Sequence, residues 1–213
     1  LELVRDTDAQ VRLQVAYSIG ALGSSESGGE LAPMAAATND PYLLAALHSS
    51  LHEKNVVEAV TSSLANGTPS TAWLDPLLAT AGSIDNPEFL QASLVPLLKS
   101  AESGYESWHF TTVSTLLETF ENREAKLDRT FGKYAADRLL AMAKAAQKLA
   151  VDPKAEEDLR RSCIRFLGSL PVGPSRTLLA ELLAPQHGTS IQIAAARALV
   201  ASVSPNDDTT ALL

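Results

Sequence analysis

Val11 to Leu22 reads VRLQVAYSIGAL, and Leu159 to Leu170 reads LRRSCIRFLGSL. The two align without a gap. Val11 meets Leu159, Arg12 meets Arg160, Val15 meets Cys163, Ile19 meets Leu167, Gly20 meets Gly168 and Leu22 meets Leu170. A further copy follows each of them 32 residues on: Leu43 to Leu51 (LLAALHSSL) after the first, and Ile191 to Ser202 after the second. Apolar residues at this spacing share one face of a helix. Self-similarity at a period of about 20 to 50 residues marks units that stack on one another, so the chain is expected to offer a surface rather than an enclosed pocket.

Composition agrees with helices. Hydrophobic residues make up 46% of the 213-residue chain but aromatics only 5%, with Ala and Leu dominant. Both are strong helix formers, and few stretches alternate Val, Ile and Thr as strands do. The net charge of −8 and the absence of any basic run longer than two residues exclude a phosphate-backbone partner, so no nucleic acid is expected. No apolar run approaches a membrane span, so no membrane insertion is expected either. A single cysteine, Cys163, allows no internal disulfide. It stands where the first copy has Val15 and reads as a small buried apolar residue.

Start and stop signals place about eleven helices, near 8–22, 30–38, 41–53, 55–66, 74–82, 87–101, 107–121, 128–150, 155–169, 174–184 and 190–203. Asp8 caps the first, and Gly23 with the Ser-Ser-Glu-Ser-Gly-Gly run ends it. Asn39 or Asp40 caps the third, with Pro41 in its first turn. Asp75-Pro76, Asn86-Pro87 and Asp152-Pro153 repeat that start signal, and Gly173-Pro174 is a weaker version. Pro96 should kink its helix, and the long 128–150 stretch is expected to break or to act as a brace. The clear repeats cover 1–53 and 153–205. The divergent middle, 54–152, reads as degenerate repeats or helical hairpins of the same stack, with Ser100 to Ser107 as a hinge or exposed loop. The whole of 1–213 is taken as one solenoid segment. It opens inside a repeat and closes on Thr210-Ala211-Leu212-Leu213, the start of another helix, so it is expected to be a segment of a longer protein.

The pattern Asp-x-x-Val-Arg-x-x-x-Ala-x-x-x-Gly-x-Leu at Asp8, Val11, Arg12, Ala16, Gly20 and Leu22 resembles the second helix of HEAT repeats. The resemblance implies an all-α fold, an α-α superhelix of HEAT-like or armadillo type. Leu44 replaces the arginine in the second copy and Gln192 in the fourth. A narrower resemblance rests on the order VRLQVAYSIGAL, NDPYLLAALHSSL, RSCIRFLGSL and LLAPQHGTSIQIAAARALVAS. It is similar to the helical segment of planctomycete membrane-bound dehydrogenase-domain proteins. There a β-propeller related to sugar and sorbosone dehydrogenases precedes the helices, and a cytochrome c module with a Cys-x-x-Cys-His haem site follows. The resemblance implies an exported, periplasmic or cell-surface parent; the segment itself carries no localisation signal. No Cys-x-x-Cys-His and no propeller sequence occur here, so no haem ligand and no dehydrogenase residue carries over.

Candidate chemistry is sparse. His48 and His52, four apart on one predicted helix, are the only metal candidates, and they lack the third ligand that zinc requires. A histidine pair at the surface or between repeats is the simpler reading. Trp73 and Trp108 are either plugs between repeats or interface residues. Arg12 and Arg160 recur at one repeat position and are expected to bind acidic or carbonyl groups of an adjacent turn, with Asp6, Asp8, Glu156 and Glu157 as acidic partners. Glu156-Glu157-Asp158 and Asp207-Asp208 read as helix-start carboxylates. Val15, Ile19, Leu47, Leu51, Ile164 or Cys163, Leu167, Ala195 and Leu199 are the expected repeat core.

No Gly-x-Ser-x-Gly and no phosphate loop occurs, so no catalytic residue and no cofactor is expected in this chain. The reading is a non-catalytic scaffold that joins flanking domains of its parent or binds another protein. The alternatives are a free-standing peptide-binding adaptor and a HEAT-fold enzyme. The latter would be of the alkylpurine DNA glycosylase or bilin lyase kind, which the acidic charge and the few aromatics oppose.

Overall fold

The computed structural model describes residues 2–65, 70–83, 97–98, 104–118, 123–170 and 175–202, without the side chains of 2, 82–83 and 123–135. Among these the chain forms a 3-10 turn, Glu2–Arg5, ten α-helices and no strand. The helices are α1 (Ala9–Ala21), α2 (Ser27–Ala36), α3 (Pro41–Ser49), α4 (Val56–Ala65), α5 (Thr71–Ser83), α6 (Ser107–Glu118), α7 (Arg123–Val151), α8 (Glu157–Ser169), α9 (Ser175–Glu181) and α10 (Thr189–Ala201). The expected 87–101 helix with Asn86-Pro87 and Pro96, the Gly173-Pro174 start, Asp207-Asp208, Leu1 and the last three residues lie outside the described residues, apart from Leu97 and Leu98.

The caps follow their physical rules. Asp8 accepts the Gln10 N–H at 2.8 Å and Asp40 accepts the Tyr42 N–H at 2.9 Å, each satisfying a donor that the first helical turn leaves open. Gly23, at φ +63, takes the left-handed turn that closes α1. Elsewhere tertiary contacts override the local signals. Helix α2 starts at Ser27, inside the run read as a terminator, because its glycine lies flat on α4. A Cβ on Gly28 would run into the Asn55 carbonyl and stand 2.6 Å from Ala59 N. Helix α3 ends at Ser49 rather than near 53, because Asn55 folds the chain back. Its Oδ1 accepts the His52 N–H at 2.8 Å, and its Nδ2 donates to Ser50 O at 2.9 Å and Ser27 Oγ at 3.1 Å.

The two Asp-Pro signals also mislead. Helix α5 begins four residues before Asp75 and carries Pro76 inside it. Asp152 caps a turn instead, accepting the Lys154 N–H at 2.8 Å, and α8 starts only at Glu157. Helix α7 runs unbroken for 29 residues.

The chain packs as two compact units, Leu1–Lys99 and Ser100–Leu213. In the first, α1, α3 and α5 form one row and α2 and α4 a second. In the second, α8 lies between α6 and α10 in one row, with α7 against α8 and α9 against both α8 and α10. The divergent middle therefore contributes members to both rows. Helices within a row run parallel. Ser162 meets Ser107 near the starts of α8 and α6, and Arg165 meets Glu118 further along both.

One contact recurs. Gly20, penultimate in the 13-residue α1, lies against Ser50, and Gly168, penultimate in the 13-residue α8, lies against Ala198. Both partners stand 30 residues on. A Cβ on either glycine would come within 2.7 Å of its neighbour's backbone. These are the close approaches that let each pair of helices in a row touch. In the first unit Ser50 Oγ then donates to Ala16 O at 2.7 Å.

The core matches expectation at Ile19, Leu47, Cys163, Ile164, Leu167 and Ala195, all at most 2% exposed. Val15, Leu51 and Leu199 are only half-buried. On α1 the buried line runs through Ala16 and Ile19, so the inward face is turned by one residue from the one expected.

Candidate binding groove

The described concavity of the second unit is a groove of about 620 Å³ across α6, α8 and α10. Small residues floor it on α10: Ala194, Ala198 and Ala201. On α6 and α8, Ser107, Thr111 and Ser162 tie the two helices together through hydroxyl bonds of 3.3 Å. Short side chains here keep the floor close to the backbone and leave the charge to longer residues at the rim.

Three arginines supply that charge: Arg161 and Arg165 on α8 and Arg197 on α10. Two carboxylates partly answer them. Glu118 takes Arg165 in a bidentate pair, 2.8 and 3.1 Å, with Thr115 Oγ1 a third acceptor at 3.1 Å. Asp158 pairs with Arg161 one turn along the same helix. Arg197 is exposed and has no ion-pair or hydrogen-bond partner. A planar guanidinium with open donors is suited to a carboxylate or phosphate oxygen.

These groove residues were not singled out in the sequence. The available signal was periodic: Arg197 stands 32 residues after Arg165, the spacing of the repeat. The copy in the first unit has Leu13 and Tyr17 where the second has Arg161 and Arg165. Repeat packing therefore does not require arginine at these positions.

The residues that were singled out lie elsewhere and are occupied in packing. Arg12 donates to the carbonyls of Asp6 and Thr7 at 2.7 and 3.0 Å, and Arg160 to the Ala150 carbonyl at 3.1 Å. Both repeat arginines thus hold backbone oxygens of the preceding segment, not carboxylates. Trp73 is 2% exposed, with Nε1 donating to Ser63 Oγ at 2.8 Å. It offers no face to a partner, contrary to its interface reading. Trp108 is half-buried, stacks on His109 at 3.8 Å and bonds the Glu106 carboxylate at 3.2 Å. Cys163 is fully buried, and desolvation pushes its thiol up to about 12, which leaves no thiolate at neutral pH.

His48 and His52 do not share a helix. His48 lies in α3, while His52 follows its end and accepts the Lys54 N–H at 3.2 Å. His48 has a different task. Pro76 lacks the N–H that would bond the Ala72 carbonyl one turn back, and His48 Nε2 lies 3.4 Å from that oxygen while its ring stacks on Trp73 at 4.6 Å. Among the described residues no group of three or more His, Cys, Asp or Glu is placed to hold a metal ion.

Burial holds the pKa of His48 below its ordinary value of 6.5. Burial does the same to His109, partly opposed by the Glu106 carboxylate and backbone. A histidine kept neutral on folding costs nothing above pH 6.5. As pH falls from there through the lowered folded values, the unfolded chain takes up protons first and stability drops. Urea midpoints should therefore fall between pH 7.5 and 5.5, and less so in the His48→Gln, His109→Gln double variant. An identical decline in that variant would assign the loss to other groups.

Among the described residues no helix is long and apolar enough to cross a membrane. Compared with known protein families, characterised proteins and solved structures, the chain matches none.

Proposed function

We propose that this chain is a non-catalytic helical-repeat scaffold that holds neighbouring domains or a protein partner along its rows of helices. The observation that supports this most is the recurring glycine contact, Gly20 on Ser50 and Gly168 on Ala198. One packing unit used twice makes extended rows of parallel helices, and such rows function through their surface and length. The most desolvated titratable side chains, His109 and Cys163, are packed into helix contacts, and the two repeat arginines are spent on backbone carbonyls.

The setting follows from the resemblance to the planctomycete dehydrogenase-domain proteins. In it the helices would space a propeller-type oxidoreductase from a cytochrome c module in an exported protein. HEAT-type stacking belongs to this same reading. The encoded polypeptide on either side tests the setting: a propeller should precede the chain and a Cys-x-x-Cys-His should follow it. Flanks with neither would remove the redox setting and leave a free-standing adaptor. A specific observation favours that second reading too, since the arginine-lined groove is an open surface that the repeat packing does not need.

A further inference from the structure

We propose that the groove between α6, α8 and α10 binds an extended acidic peptide segment of a partner protein, with Arg197 as the principal contact and Arg161 and Arg165 beside it. This rests on the interaction-module reading above and names the class of partner. Four observations carry it. The groove concentrates three arginines on a chain whose net charge is −8, so it is a local reversal of sign. Arg197 is exposed and unpaired, so a ligand carboxylate gains a charge-assisted bond without displacing an internal one. Arg165 and Arg197 occupy one repeat position on adjacent helices, which lie about 8–10 Å apart in packed pairs. Carboxylates two or three residues apart on an extended strand are spaced by about 7–10 Å, and flexible side chains absorb the remainder. Finally, the alanine and serine floor lets a peptide backbone approach between the rim residues.

The same balance of charge decides against a polyphosphate. Three arginines against Glu118 and Asp158 leave one net positive charge in the groove. That suits one or two carboxylates, whereas a nucleic-acid backbone needs a row of uncompensated cations. The two groove carboxylates also remain as acceptors for N–H groups of a peptide.

Phage-displayed random dodecapeptides selected on the intact chain test this. Enriched peptides should carry an excess of Asp and Glu, and the best of them is then titrated by fluorescence anisotropy. Arg197→Glu should weaken it by about tenfold or more, the loss of a charged hydrogen bond with added repulsion. Lys148→Glu makes the same change in net charge on the exposed face of α7 and should change affinity less than about twofold. Because Arg197 has no partner, its variant should keep the wild-type helical spectrum and melting temperature. No enrichment, enrichment without acidic excess, or equal losses in the two variants would overturn the proposal. Tighter binding of a duplex oligonucleotide, abolished by Arg197→Glu, would overturn it as well and assign the groove to phosphate. None of these outcomes touches the spacer reading, which is decided by the flanking polypeptide.

Discussion

Trp73→Ala should cost about 3–5 kcal/mol, the range for truncating a large aromatic in a packed core. Trp73 is among the largest fully buried side chains and joins three helices of the first unit. Its ring lies on His48 of α3, its Nε1 bonds Ser63 of α4, and its own backbone begins α5. Removing it opens a cavity, deprives Ser63 of a donor and exposes the His48 contact with the Ala72 carbonyl to water. Trp73→Phe keeps most of the apolar surface but not the N–H, and should cost less than the alanine variant. Denaturant titrations followed by far-UV circular dichroism measure both. A loss below about 1 kcal/mol for Trp73→Ala would mean that the ring is not in the core and would reopen its interface reading.

The repeat was legible because the glycine, the arginine and the apolar face recur at fixed spacing, and the neighbours that they imply, α1 with α3 and α8 with α10, are the ones that pack. The interior of the repeat was less so. Ser18 is exposed, yet its counterpart Phe166 is fully buried and packs on Phe110 at 5.6 Å. Alignment of two copies shows that a position exists in both, but not which way each copy is turned against its own neighbours. Helix ends failed where a distant residue sets them, as Asn55 does for α3. Pro76 was read as a start because the partner that tolerates it, His48, lies on another helix. The groove was hidden for a related reason. Arg161 and Arg165 look like ordinary solvated helix residues until α6 and α10 are placed beside α8.

The recurring glycine contact carries the scaffold reading, and a small change there has a sign that decides it. In an open helix, replacing glycine by alanine stabilises by about 0.5–1 kcal/mol, because alanine loses less backbone entropy on folding. At Gly168 the added Cβ would stand 2.6 Å from Ala198 Cβ, 2.7 Å from its Cα and 2.8 Å from its carbonyl oxygen. At Gly20 it would stand 2.7 Å from both Cα and Cβ of Ser50. Two of the three Gly168 contacts are backbone, so the neighbouring helix must move rather than a side chain turn aside. Overpacking of this kind costs about 1–3 kcal/mol, which exceeds the gain in helix propensity. Valine should be worse than alanine at both sites, near the top of that range. Ala198→Gly should restore only part of the loss at Gly168, since it removes one of the three contacts. The deciding measurement is the unfolding free energy of Gly20→Ala and Gly168→Ala beside the parent chain. Both should be less stable than the parent. An increase in stability at both glycines would show open helices with no close approach, and would contradict the repeat packing on which the scaffold rests.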